Sequence, residues 1–238
     1  MANTILHKAN TRGLADHGWL KSYQTFSFGA NYNPERIQFG ALRVLNDDIV
    51  DGGMGFGEHP HDNMEIISIA LEGSLQHEDS MHNVAVIEPG EIQVMSAGTG
   101  IYHKEFNKNA AQPVKFLQIW LFPNQRNVSP RYQQERYDTL LKPNEFSQIL
   151  SPEKADSGVW IYQDAWFHIG KFETGIKLTH LLKNKENGIY VFVIKGSVNV
   201  NGQQLEERDG YGLWEASSID LETLTEAEVL LMEVPMNY

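Results

Sequence analysis

The stretch Gly53-Met54-Gly55-Phe56-Gly57-Glu58-His59-Pro60-His61-Asp62-Asn63-Met64-Glu65 decides the fold of this chain, together with Ser96-Ala97-Gly98-Thr99-Gly100-Ile101-Tyr102-His103-Lys104-Glu105-Phe106-Asn107. Short apolar segments broken by turn residues run between the two. On a β-strand successive side chains alternate faces, so His59 and His61 project to one side of their strand, as do His103 and Glu105 of theirs. If the two strands are neighbours in a small barrel, three imidazoles and one carboxylate converge inside it. Such an N3O donor set suits a first-row transition metal and leaves positions for water, a substrate or dioxygen.

Working outward, strands are expected at Thr4–His7, Gly40–Asn46, Met64–Leu71, Ser74–Asp79, Val84–Ile87, Glu91–Met95 and around His103. Val114–Phe122 is a near-continuous apolar run that reads as buried on both faces. These strands, at roughly ten-residue spacing, fit a jelly-roll barrel. The segment up to Asn33 reads as a loop rich in glycine, histidine and aromatics. Beyond Pro123 the periodicity fades, and residues 124–150 read as a connector with a short helix near Asn144–Leu150. The strand rhythm then resumes through Trp160–Tyr162, Ala165–Phe172, Lys177–Leu182, Ile189–Lys195 and Ser197–Val200, and Asn201-Gly202 is a strong hairpin signal. The expected architecture is all-β: two jelly-roll β-barrels packed together, a metal-binding one over residues 1–123 and a second over 151–238. Where His59-Pro60-His61 would recur stands Lys177-Leu178-Thr179-His180, so the second barrel is expected to carry no metal site.

Bulk properties narrow the function classes. The 238 residues contain no cysteine, which excludes disulfides and thiolate ligands. A formal net charge of −12 with scattered lysines and arginines tells against direct binding of nucleic acid. The start, Met1-Ala2-Asn3-Thr4, shows no signal pattern, and no apolar run approaches the roughly 18 residues of a membrane span. A cytoplasmic protein with no membrane contact is expected. Taken singly, the remaining histidines (His7, His17, His77, His82, His168 and His180) read as surface or packing residues. Met54, Phe56, Phe26 and Phe28 are candidates for an apolar substrate mouth, and Arg131-Tyr132 for a brace between barrels.

The spacings Gly53-(x)5-His59-x-His61-(x)3-Glu65 and Gly100-x-x-His103-x-x-x-Asn107 resemble the two motifs of the cupin superfamily. Two departures stand out: the next motif glycine, Gly73, arrives one residue late, and Ser96 replaces a proline. Glu105, two residues past the last histidine, makes the chain resemble the pirin family. The likeness extends to Arg12-Gly13, His17-Gly18-Trp19-Leu20, Thr25-Phe26-Ser27-Phe28, Ala41-Leu42-Arg43-Val44, Gln118-Ile119-Trp120 and Pro130-Arg131-Tyr132. Within that family it is most similar to the bacterial pirin-like proteins described as quercetin 2,3-dioxygenases.

The resemblance implies a bicupin with one divalent metal held by His59, His61, His103 and Glu105, and with Glu65 outside the ligand set. Iron(II) is the expected occupant, on availability and open-site geometry; Mn, Ni, Co, Cu and Zn suit the same donors. The implied reaction is dioxygenase cleavage of a flavonol such as quercetin with O2. The 3-hydroxyl is deprotonated and binds the metal, Glu105 acts as the base, and carbon monoxide leaves. Two alternatives remain open. One is a metal-binding redox sensor acting through a protein partner, and the other is a cupin oxygenase with a different aromatic substrate.

Overall fold

The computed structural model describes residues 2–238, and its strands fall into four sheets, two in each half of the molecule. The larger sheet of the first half runs, edge to edge, β12 (Arg131–Arg136), β9 (Glu91–Ser96), β6 (Glu65–Glu72), β11 (Val114–Leu121), β4 (Leu42–Val50), β3 (Leu20–Gln24) and β2 (Gly13–Asp16). Facing it are β5 (Gly55–His61), β10 (Ile101–Asn107), β7 (Leu75–Asp79) and β8 (Val84–Ile87). The second half repeats the plan. Its larger sheet is β1 (Asn3–His7), β20 (Gly210–Trp214), β17 (Asn187–Lys195), β22 (Ala227–Pro235), β15 (Trp166–Phe172), β13 (Ser147–Ser151) and β14 (Val159–Trp160). Its smaller sheet is β16 (Lys177–Leu181), β21 (Ser218–Thr223), β18 (Val198–Val200) and β19 (Gln203–Leu205). The ladders do not join into a ring, so each half is a jelly-roll sandwich. No helix among the described residues is long and apolar enough to cross a membrane.

The two large sheets pack against each other, which explains why their central strands are buried on both faces. From the first half Leu45, Ile67, Ile69, Ile92, Val94, Leu117 and Ile119 meet Leu150, Phe167, Ile169, Tyr190, Phe192, Leu230 and Met232 of the second in one core. Each such side chain, fully buried, stabilises the fold by about 1.5–3 kcal/mol. The second half has a further interior core, in which Val191, Val193, Val198, Val200, Leu213, Ile219, Leu221 and Leu231 fill the space between its sheets. The interior of the first half is divided instead, into a cluster around Val50, Leu75, Ile87 and Phe116 and another around Ile66, Met95 and Ile101.

Several expectations are corrected. The N-terminal segment contains paired strands, β2 on β3 and β3 on β4, rather than a loop. The connector supplies β12, which pairs with β9 and belongs to the first half's sheet. No helix forms over 144–150: Asn144 sits at φ 62, in the left-handed region unsuited to starting a right-handed helix, and Ser147–Ser151 is a strand pairing with β15. Strand β1 crosses to the second half, where it pairs with β20, so the boundaries 1–123, 124–150 and 151–238 are not those of the sheets. The Asn201-Gly202 turn has positive φ at both residues, 50 and 88, as a type I′ hairpin needs.

His168 on β15 and His180 on β16, which belong to different sheets, are brought together with ring centroids 4.7 Å apart. Burial, assisted by their mutual proximity and by Lys183, pushes His168 down to about 3; burial and Lys183 push His180 down to about 4. An unfolded histidine takes up its proton near 6.5, so their contribution to stability is complete above that pH and is lost as pH falls toward 4 and 3. Replacing both by leucine is expected to shrink the drop in Tm between about pH 7 and about pH 5, measured by thermal unfolding of the metal-free protein. An unchanged drop would place the acid sensitivity elsewhere.

Candidate metal centre

Strand β10 lies between β5 and β7 and so builds the site from both of its edges. His103 is directly opposite His59, while Glu105 is opposite Phe56, so β5 carries an extra residue between these pairs. The bulge lets β5 bend while His59 and His61 stay on the inner face. Gly55 is required here, because a Cβ would lie 2.3 Å from the Glu105 carbonyl oxygen. Gly98, at φ 50, permits the turn that leads into β10; a Cβ there would lie 2.1 Å from the carbonyl oxygen of Val128.

The three imidazoles converge. Ring centroids are 4.4 Å apart for His59 and His103, 4.8 Å for His59 and His61, and 4.9 Å for His61 and His103. Their ligand atoms lie within 4.8 Å of one another. The Nδ1–H of His59 donates to the Gly57 carbonyl at 2.7 Å, which leaves Nε2 as the free donor atom. Nε2 of His61 and of His103 are both buried, with no hydrogen-bond partner among the described residues. Burial, with neighbouring imidazoles adding to it, pushes His61 down to about 4 and His103 to about 2, so both rings are neutral at physiological pH. Unprotonated nitrogens aimed at one point fit a divalent ion of the kind the N3O pattern implies.

Glu105 forms a second group with His103 and His77, their ligand atoms again within 4.8 Å of one another. Its carboxyl accepts hydrogen bonds from Ser68 Oγ at 3.1 Å and Gln118 Nε2 at 2.7 Å across the sandwich. Burial raises it to about 7 against the opposing effect of those two donors. Glu65 points to the other face of β6, where Ser96 Oγ donates to it at 2.8 Å and the Tyr162 amide at 3.3 Å. It serves the packing of the two halves, as does Arg131, which donates to the Trp160 carbonyl at 2.7 Å and lies 3.8 Å from that indole ring's centre. Tyr132 is no brace: its ring faces inward, 4.8 Å from His77.

A cavity of about 750 Å³ opens over the imidazoles. Phe56 and Phe28 line it as expected, Phe56 edge-on to Trp19 and Phe28 edge-on to Trp120. Phe26 does not; it is core between the halves, against Tyr190 and His7. Met54 is exposed and takes no part in the lining.

The sequence reading missed His77 and Asp79. Read as the flank of a hairpin, His77 is fully buried, with Nδ1 3.5 Å from Nδ1 of His103 and Nε2 3.1 Å from Asp79 Oδ2. Asp79 is fixed by the amides of Met81 and Asn83 and by the Asn83 side chain. With Nε2 of His103 given to a metal, its Nδ1–H can donate to His77, whose Nε2–H donates to Asp79; one tautomer per ring satisfies the whole series. Such outer partners typically carry about 10–100-fold of metal affinity. His77→Ala and Asp79→Asn are therefore expected to weaken Co(II) or Ni(II) binding by about that factor, measured by competition with a chelating dye, without unfolding the chain. Affinities equal to wild type would mean that the pair only fills space.

A family model described as Pirin matches residues 6–121, and one described as the quercetinase C-terminal cupin domain matches residues 148–234. The quercetin 2,3-dioxygenase of Escherichia coli (strain K12) is 39% identical over 230 residues, covering 97% of this chain and 98% of that protein. The crystal structure of YhhW from Escherichia coli has a TM-score of 0.93 at 38% identity, covering 99% of this chain and all of that one. That of the bacterial pirin YhhW in complex with nickel(II) has a TM-score of 0.92, covering 98% and 99%. With two cupin domains in pirin order along nearly its full length, the chain belongs to the pirin family.

Proposed function

We propose that the protein is a metal-dependent dioxygenase that cleaves the central ring of a flavonol such as quercetin, incorporating both atoms of O2 and releasing carbon monoxide. The observation that carries this reading is the set of three imidazoles converging beneath an aromatic-walled cavity that also holds a buried carboxyl. The names of the relatives support it: quercetin 2,3-dioxygenase for the Escherichia coli protein, and a nickel(II) complex for the YhhW structure. His59, His61, His103 and Glu105 would hold the ion, with iron(II) as the expected occupant. Bound there, the ion would supply Lewis acidity toward the 3-hydroxyl and 4-oxo groups and a docking position for dioxygen.

The protein's own groups then have distinct tasks. Glu105, a buried carboxyl beside the proposed ion, is placed to take the proton of the 3-hydroxyl, and Ser68 and Gln118 hold its oxygens in place while it does so. His61 and His103 do not compete for that proton, since burial keeps them neutral. Phe28, Trp120, Trp19 and Phe56 offer flat apolar walls to a planar polycyclic substrate and displace water from it. A cavity of this depth also favours a small-molecule substrate over a role confined to presenting a surface.

The decisive measurement is carbon monoxide release from quercetin in air by protein reconstituted anaerobically with Fe(II). One equivalent per flavonol consumed is expected, absent in His61→Ala and reduced by about 10²–10⁴-fold in Glu105→Gln, the range lost with a general base. A protein that binds one metal per chain and releases no carbon monoxide would overturn the reading and favour the redox-sensing, partner-binding role.

A further inference from the structure

One wall of the cavity has polar groups that neither the imidazole cluster nor Glu105 uses. Strand β4 turns Asn46 and Asp48 toward the interior, 3% and 4% exposed, and both line the cavity. Their neighbours are occupied: Gln118, opposite Asn46, donates to Glu105, and Gln24, opposite Asn46 on the other side, accepts from Asn31 at 2.7 Å. Asn46 Oδ1 and Asp48 Oδ1 have no hydrogen-bond partner among the described residues. Buried polar oxygens are nearly always paired, so two unpaired ones on one wall of one cavity mark a place built for a ligand's donors.

The chemistry of those donors follows from the atoms. A carboxylate and an amide oxygen accept, so they select hydroxyl hydrogens over carbonyl, carboxylate or phosphate oxygens. Asp48 and Glu105 oppose each other's ionisation in the same enclosed space, and an anionic substituent would add to that repulsion. The position is set by register: Asp48 is two residues beyond Asn46 on β4, whereas Gln118, which holds Glu105, is directly across from Asn46 on β11. Trp120, which His61 contacts, is directly across from Val44, and Asp48 lies four residues further along β4 on the same face, about 13 Å at the rise of a strand, so it faces the part of a fused-ring ligand remote from His61. Phe28, Trp120, Trp19 and Phe56 line the same cavity and offer packing surfaces for the rings of such a ligand.

We propose that Asp48 and Asn46 form a hydroxyl-binding subsite which makes the cavity select uncharged, polyhydroxylated aromatic substrates by the ring hydroxyls distant from the metal. This rests on the flavonol reading of the site.

The test is equilibrium binding of quercetin and of 3-hydroxyflavone to the zinc-loaded full chain without oxygen, followed by absorbance. The two ligands share the chelating 3-hydroxyl and 4-oxo groups and differ in the remote hydroxyls. Wild type is expected to prefer quercetin, and Asp48→Leu to reduce the ratio of the two affinities by about 10–100-fold, the loss of a hydrogen bond to a charged group. Asp48→Asn, which keeps an acceptor oxygen, is expected to restore part of the ratio, and bound zinc and far-UV circular dichroism report whether each variant is folded. A ratio in Asp48→Leu equal to wild type overturns the subsite and leaves the flavonol reading standing. Failure of zinc-loaded wild type to bind either ligand overturns both.

Discussion

The larger sheet of the first half has to satisfy two different surroundings at once, and the site depends on how it does so. Its outer face is sealed into the apolar core shared with the second half. Its inner face carries a transverse row of polar residues, Gln24, Asn46, Gln118, Ser68, Gln93 and Gln134, each directly opposite the next across successive strands. Burying amides without partners is costly, so a row of this kind persists where the members engage one another or a charge beside them. Ser68 and Gln118 engage Glu105. The carboxyl of β10 is thus held by the opposite sheet, and the imidazoles on β5 and β10 are positioned over the apolar strip of Ile66 and Trp120 next to it.

The same row accounts for the contrast between the halves. In the second half the space between the sheets is filled by one continuous apolar cluster. In the first, the polar row separates two small clusters, so the interior is not filled and a cavity remains. The apolar burial that the first half forgoes inside is recovered at the interface, where its outer strands contribute to the largest core of the molecule. A half-empty jelly roll stays folded because its neighbour supplies the packing.

The histidines were legible because strand parity and spacing act together: His59-x-His61 and His103-x-Glu105 each occupy one face of one strand. His77-x-Asp79 has the same alternation, yet its meaning depends on β7 being the second neighbour of β10, a fact of pairing rather than of local pattern. Asp48 was hidden for a related reason: its strand was read as ending at Asn46, and only pairing with β11 carries β4 on to Val50. The helix expected near Asn144–Leu150 failed because pairing with β15 decides that segment's structure. Likewise β2, β3 and β12 lack strong alternation and are strands because an adjacent edge offers hydrogen bonds. The metal-ligand candidates could be read from sequence; their supports could not.

Strand β1 imposes an order on assembly. It precedes every strand of the first half but pairs with β20, and Ala9, two residues after it, donates to Asp209 across 200 residues of chain. Contacts so distant in sequence form late and slow folding. During synthesis the strands of the first half emerge while β1 is still undocked, and β1 cannot find its place until β20 has emerged. The two halves are therefore joined by more than their connector: the chain begins in one, builds the other, and returns, so a clean exchange of halves between relatives would have to cut after His7 and carry β1 with the second half.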